Sequence, residues 1–257
     1  MNQCFFDKDK RVVIKNLNDS TRLEREVNGA KILSEYVNVP KVDKLDTQTI
    51  LMSFEKGSTG DSIDEKEFNF MLICLFKKIK NNFNATSLIK KLSINQQLKK
   101  YISLFEFYPD IVKSLRIISK ATEDKQLFPV HGDLQRQNII FTKKGLTLID
   151  FEHFSFAPQE LEIVNSLFFN DANCLDVEKL IPFLISDLEF SQEIIGNMLV
   201  FFSIKELTQG RNSIEVQNRL IQGIKRLSCI TNKKTKIFIP DIIRKQKSIW
   251  TSSSCFA

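Results

Sequence analysis

Apolar and polar residues alternate in the first part of the chain, adopt a helical period, break into short extended runs, and then return to helices. Cys4-Phe5-Phe6, the polar run Asp7-Lys8-Asp9-Lys10 and Val12-Val13-Ile14-Lys15 predict strand, turn and strand. Thr21-x-x-Glu24 has the spacing of a capping box. Leu23, Val27, Ala30 and Leu33 then predict a helix to about Tyr36, ended by Val39-Pro40. Two short strands are expected near 41–45 and 49–54. Glu55-Lys56-Gly57-Ser58-Thr59-Gly60-Asp61 has turn chemistry and predicts a linker, which divides a small domain, 1–56, from a larger one, 57–257.

Beyond that point Phe68, Met71, Leu72, Leu75, Phe76 and Ile79 form one helical face, and Leu98, Tyr101, Ile102 and Phe105 another. A third helix is expected over Ile111–Ser119. Phe128-Pro129-Val130 is short and extended. Asn138-Ile139-Ile140-Phe141-Thr142, Lys143-Lys144-Gly145 and Leu146-Thr147-Leu148-Ile149 read as a hairpin. Helices are predicted again near 159–169, 175–187, 190–208 and 213–228. No internal repeat is present.

Composition narrows the class. The 257 residues are 42% apolar and 26% charged, which excludes a disordered chain. No apolar run approaches the roughly 18 residues of a membrane span, and no basic segment leads into an apolar one at the start, so neither a membrane partner nor a signal peptide is expected. Five scattered cysteines without a C-x-x-C pair fit free thiols, and a cytoplasmic location is the expectation. The net charge of +6 is uneven. Lys205 to Trp250 holds 11 Lys or Arg against three acids, a local +8 that leaves −2 for the rest.

Both histidines fall within a span of 23 residues, 131–153. His131-Gly132-Asp133-Leu134-Gln135-Arg136-Gln137-Asn138 spells H-x-D-x-x-x-x-N, and Ile149-Asp150-Phe151-Glu152 follows the hairpin. This is the spacing of the phosphoryl-transfer template: a loop Asp that accepts the hydroxyl proton, an Asn as metal ligand, and a later Asp on Mg²⁺. The chemistry explains the residue types. ATP, or another nucleoside triphosphate, brings clustered negative charge, and Mg²⁺ takes hard oxygen ligands, which a carboxylate and an amide carbonyl supply. The hairpin returns the chain so that Asn138 and Asp150 can face one ion, with Asp133 on the same loop. The template also needs a strand Lys paired with a Glu on the next helix. Lys15 is the candidate, with Glu26 flanking the apolar face of the helix; Glu24 is the alternative.

Val130-His131-Gly132-Asp133-Leu134 to Asn138-Ile139-Ile140, with Leu148-Ile149-Asp150-Phe151-Glu152, resembles the aminoglycoside phosphotransferase and choline kinase-like family. That family shares the protein-kinase-like fold. The resemblance implies an α+β, bilobal molecule, with a reduced N-terminal β lobe and a mainly helical C-terminal lobe. It implies ATP- and Mg²⁺-dependent transfer to the hydroxyl of a small molecule: an aminoglycoside, an amino alcohol or a sugar-like compound. Leu51-Met52-Ser53-Phe54 resembles the hinge that meets the adenine, although Met52 and Phe54 suit a core as well. His131 is implied to brace the loop. Glu152, two residues past Asp150, is either a second metal or substrate contact or a brace. Glu162 is expected to cap or anchor a loop, and Arg136 to meet phosphate or stand exposed.

The chain departs from the family before Lys15. Its first glycine is Gly29, within the predicted helix, and the preceding residues suffice for two strands but not three. A shortened N-lobe, or a start further upstream, is therefore expected. This motivates a second reading, a kinase-fold nucleotide-binding or regulatory protein with weak or no turnover. The basic C-terminal stretch carries no nucleic-acid recognition motif, so a nucleic-acid partner is not expected. Facing the cleft, it would favour a neutral or anionic acceptor over a cationic one.

Overall fold

The computed structural model describes residues 3–84, 87–169 and 185–208, apart from the side chains of Glu65 and of 166–169, 203 and 206–208. The predicted helix near 213–228, most of that near 175–187, and nearly all of the basic C-terminal stretch lie outside the described residues. The described residues fall into two compact units, one within 1–96 and 126–170, the other within 97–125 and 171–257.

In the first unit, β1 (Gln3–Asp7), β2 (Val12–Asn16), β3 (Val42–Lys44) and β4 (Thr49–Ser53) form an antiparallel sheet of order β1-β2-β4-β3. The β1–β2 turn is closed by Asp7, whose Oδ1 accepts from the Asp9 and Lys10 amides. Its register sets Cys4 opposite Lys15, and Lys15 opposite Ile50 on β4. Against this sheet lies α1 (Ser20–Leu33), with Leu17, Leu23 and Ile50 as a small core that Val27, Val42 and Met52 extend.

The start of α1 differs from the expected capping box. The cap is Asp19, whose Oδ1 accepts from the Thr21 amide at 2.8 Å. An aspartate one residue before the helix satisfies an orphan donor, which leaves Thr21 inside the first turn. The stripe that α1 buries includes Leu23, Glu26, Ala30 and Leu33, so one carboxylate sits among apolar neighbours.

The expected linker is tied down. Its centre forms β5 (Ser58–Thr59), the edge of a second sheet of order β5-β7-β8, with β7 (Ile139–Thr142) and β8 (Gly145–Leu148) as the predicted hairpin. The glycines there serve close approach: a Cβ on Gly57 would stand 2.1 Å from the Phe141 carbonyl oxygen. A 3-10 turn at Gly60–Ser62 leads into α2 (Glu65–Asn82), capped by Asp64 through the Lys66 and Glu67 amides. The face of α2 that the periodicity marked is buried at Phe68, Leu72, Leu75, Phe76 and Ile79.

Besides β5, two further elements went unpredicted in this unit, the short α3 (Ile89–Leu92) and β9 (Ser155–Ala157). The latter pairs antiparallel with β6 (Phe128–Val130). α6 (Glu160–Phe169) follows it. Between the units in sequence, α4 (Ile94–Leu104) begins in the first and continues in the second.

In the second unit α5 (Pro109–Glu123) packs on α7 (Gln192–Thr208). Pro109 occupies the first turn, where its missing N–H costs nothing. α5 buries Ile111, Leu115 and Ile118 on one stripe, whereas α7 is apolar all round and buried at Ile194, Ile195, Met198, Leu199, Phe201 and Phe202. Among the described residues no helix is long and apolar enough to cross a membrane.

Candidate active site

Strand alternation turns Lys15, near the end of β2, into the interior, where it is only 4% exposed. Its ammonium lies 2.8 Å from Glu26 Oε2, 2.6 Å from Asp150 Oδ1 and 3.5 Å from Glu152 Oε2. Glu24, the alternative partner, instead pairs with Lys91 of α3. Glu26 is fully buried. Asp150 follows β8 at a φ of 69°, a left-handed conformation that Asp tolerates better than most side chains. That bend releases the chain from the hairpin and turns the carboxylate to Lys15.

Electrostatics decide the protonation here. Burial by itself lowers the Lys15 value, but the carboxylates of Glu26 and Asp150 outweigh it and hold the ammonium well above its ordinary range. For Glu26 the balance goes the other way: burial raises its carboxyl despite the neighbouring ammonium. Carboxylate oxygens of Glu26, Asp150 and Glu152 all lie within 4.8 Å of one another. The Lys15 ammonium stands among them as their cation, and Asp150, the most exposed of the three at 39% of its side chain, is the carboxylate that can offer a hard oxygen to a divalent ion.

The loop carrying Asp133 is held by hydrogen bonds over short sequence distances. Gln135 Nε2 donates to Asp133 Oδ1 at 2.6 Å, and Asn138 Nδ2 donates to Asp133 Oδ2 at 3.1 Å and to its carbonyl at 2.7 Å. His131, buried beneath, accepts from the Asp133 amide at Nδ1, which leaves the proton on Nε2 to donate to the Ile149 carbonyl at 2.8 Å. Burial holds this imidazole below its ordinary value of 6.5, hence neutral. Its ring also lies against Phe151, centroids 5.1 Å apart. The Ile149 amide donates to the Asn138 carbonyl at 3.0 Å, so loop and hairpin end side by side. Gly132 is required twice over: its φ is 78°, and a Cβ there would stand 2.2 Å from the His153 carbonyl oxygen.

The structure thus gathers Lys15, Glu26, Asp150 and Glu152 in one cluster, and Asp133 with Asn138 in an adjoining loop. The Asn138 side-chain amide is turned to Asp133, and Asp150 to Lys15. Met52 lies on the central strand β4, between Val13 and Val42, with its side chain against the small core. Phe54 is 38% exposed and lies tilted against Phe6 with centroids 4.5 Å apart.

Three further residues join the site. Arg22 reaches Glu152 at 3.3 Å from the first turn of α1; its spacing of four from Glu26, one turn along the same face, is a signal the sequence did carry. Gln135 holds Asp133. Glu162 anchors the loop as expected for that position, accepting from the Gly132 amide at 3.2 Å. Arg136 is neither exposed nor directed at a ligand: it is buried against Gly60, Ile63 and Phe68.

The model of the choline/ethanolamine kinase family matches residues 22–232. Solved structures with the same fold include an ethanolamine kinase of Plasmodium vivax, at 18% identity and a TM-score of 0.60 over 93% of this chain and 84% of that one. The aminoglycoside phosphotransferase APH(2″)-IIa, in complex with gentamicin, is 18% identical with a TM-score of 0.58 over 92% of this chain and 90% of that one. LicA, in complex with AMP, is 17% identical with a TM-score of 0.60 over 89% and 88%. No curated protein sequence matches. The protein-kinase-like α+β fold implied by the loop motif is therefore the fold of this chain.

Proposed function

The chain belongs to the choline/ethanolamine kinase family and is a small-molecule kinase with a hydroxyl acceptor; from that premise we propose that it moves the terminal phosphoryl group of ATP, with Mg²⁺, onto an amino alcohol, aminoglycoside or sugar-like compound. One observation carries the reading. A buried lysine is bound to both a helix carboxylate and the aspartate after a hairpin, and the strand end before that aspartate is bonded to the Asp133 loop.

In this reading Asp133 is the general base. Gln135 and Asn138 each occupy one of its oxygens, which fixes the carboxylate plane and leaves a lone pair on each oxygen to accept the proton of the acceptor hydroxyl. Lys15 holds phosphate oxygens, and Glu26 keeps it charged and aimed. Asp150 and Asn138 would hold Mg²⁺, which supplies charge that offsets that of the phosphates. Glu152 is in contact with Lys15, Arg22 and His153, which favours the bracing alternative for it. The base of the nucleotide would lie at the end of β4, where Met52 backs the strand and the Phe54 ring offers an exposed apolar face. A cytoplasmic location fits the free thiols of Cys4 and Cys74.

An amino alcohol is the first acceptor to try, because the family is one of choline and ethanolamine kinases. Transfer of label from γ-labelled ATP is measured over ethanolamine, choline, aminoglycosides and sugars, with Mg²⁺ and with a chelator. We expect transfer to at least one acceptor, its loss with the chelator, and a fall of about 10²- to 10⁴-fold in Asp133→Asn. Equal signals from wild type and variant, or no transfer to any acceptor, would refute the proposal.

A further inference from the structure

Arg136 lies between the proposed base and the proposed metal-binding asparagine, in a 3-10 turn at Arg136–Asn138, and is 8% exposed. Its NH1 donates to the Ile63 carbonyl at 2.7 Å and to the Gly60 carbonyl at 3.3 Å. The guanidinium carbon stands 4.6 Å from the centroid of Phe68, a ring that is 1% exposed on α2. The contact is made from the other side as well. A Cβ on Gly60 would come within 2.6 Å of the Arg136 carbonyl oxygen and 3.1 Å of its Cα, so the two backbones touch where glycine alone leaves room. The chain from β5 to α2 and the turn of the catalytic loop are thus fastened by a planar donor group, two carbonyls and one aromatic face.

We infer that Arg136 is a positioning residue for phosphoryl transfer, acting through Gln135 and Asn138 on the base Asp133. The path is short. The Asn138 amide donates to the Gln135 carbonyl at 2.9 Å across the turn, and both side chains end on Asp133. A turn released from Gly60 and Ile63 shifts both groups that orient the carboxylate, and a displacement of about 1 Å at reacting atoms can cost 10²-fold in rate. Lysine cannot replace the arginine: a point charge on a flexible stem does not lie flat on Phe68 while reaching two carbonyls. The inference rests on the kinase reading above for its rate effect, but not for its structural effect.

The test uses the full chain, with Arg136→Met, Arg136→Lys and, from the opposite side of the contact, Gly60→Ala. Three quantities are read at a temperature where each variant is folded: kcat and KM in transfer from ATP, and amide hydrogen exchange. We expect kcat to fall about 10- to 100-fold in all three, with the KM for acceptor within about threefold. Exchange should quicken over 132–138 and stay unchanged over the β1–β4 sheet. Arg136→Lys should not rescue. Unchanged kcat in folded Arg136→Met, or faster exchange spread evenly over the molecule, would overturn the inference. A wild type that transfers no phosphate sinks the kinase reading instead, and the exchange pattern then still decides whether Arg136 holds the loop.

Discussion

Two neighbouring parts of the site are held by opposite means. Around Lys15 the partners are charges brought from far apart, Glu26 at 11 residues and Asp150 at 135 residues along the sequence. Around Asp133 they are neutral groups two and five residues away, resting on a neutral histidine. Charges in a low-dielectric interior interact strongly but leave a large debt when one is removed. Local hydrogen bonds to backbone and amides are weaker singly, yet they survive loss of a partner better. The first part is therefore expected to fail through stability, and the second through rate.

The sharpest test of that contrast is Lys15→Met. It strands Glu26, fully buried, beside two further carboxylates. Removing one member of a buried pair costs about 3–5 kcal/mol, read as a drop in the urea midpoint. The pH dependence carries a sign. The Glu26 carboxyl is already raised by burial above its ordinary 4.5, and without the ammonium it rises further. A raised carboxyl favours the folded state when protonated, so the Glu26 contribution in the variant should be greatest below about pH 4.5 and be lost as the pH climbs towards the folded value. In the wild type Lys15 adds its own window: stability from its raised value is present in full below 10.5 and is lost above it. A Lys15→Met protein as stable as wild type at pH 7 would break the comparison.

A smaller effect is expected at His131. Burial depresses this imidazole below 6.5, so its stabilising contribution is present above that value and is lost as the pH falls through it, with a limiting slope of about 1.4 kcal/mol per pH unit for one proton. His131→Asn should be less stable at pH 7.5 but lack that decline. Glu26 pulls the opposite way as the pH rises above 4.5, so the difference between the two unfolding profiles is the quantity to read. Identical slopes in both proteins would show that the loop is not resting on a neutral ring.

The same contrast explains what could be read from the amino acids. The Asp133 loop was legible because its partners are local: H-x-D-x-x-x-x-N is itself the geometry. Lys15 and Glu26 were legible because the phosphoryl-transfer template asks for a strand lysine and a glutamate on the next helix, and the period of α1 set Glu26 beside its apolar face. Three things were hidden. Ser155-Phe156-Ala157 is too short to show a strand period, and its partner β6 lies more than twenty residues away. The stretch around Gly57 and Gly60 reads as a linker with turn chemistry, because composition does not tell a glycine that bends from one that lets another backbone close. Arg136 defeats expectation because arginine is almost always outside; the carbonyls of Gly60 and Ile63 and the face of Phe68, brought by other elements, make its burial tolerable.

Arg22 marks the boundary between the two regimes and has the smallest expected effect. It reaches Glu152 at 3.3 Å with its side chain 42% exposed, whereas Lys15 approaches the same carboxylate from the interior at 3.5 Å. Solvent and salt screen the outer contact, and exposed pairs of this kind are worth about 0–1 kcal/mol. Arg22→Gln should therefore shift the thermal midpoint slightly at low ionic strength and not at all at 1 M salt, where the screening length is only about 3 Å. The Lys15→Met deficit, shielded from solvent, should persist in that salt. If Arg22→Gln instead destabilises as much as Lys15→Met, and does so regardless of salt, Glu152 is held from the outside. The carboxylate cluster is then a rim-supported structure rather than one built around the buried ammonium.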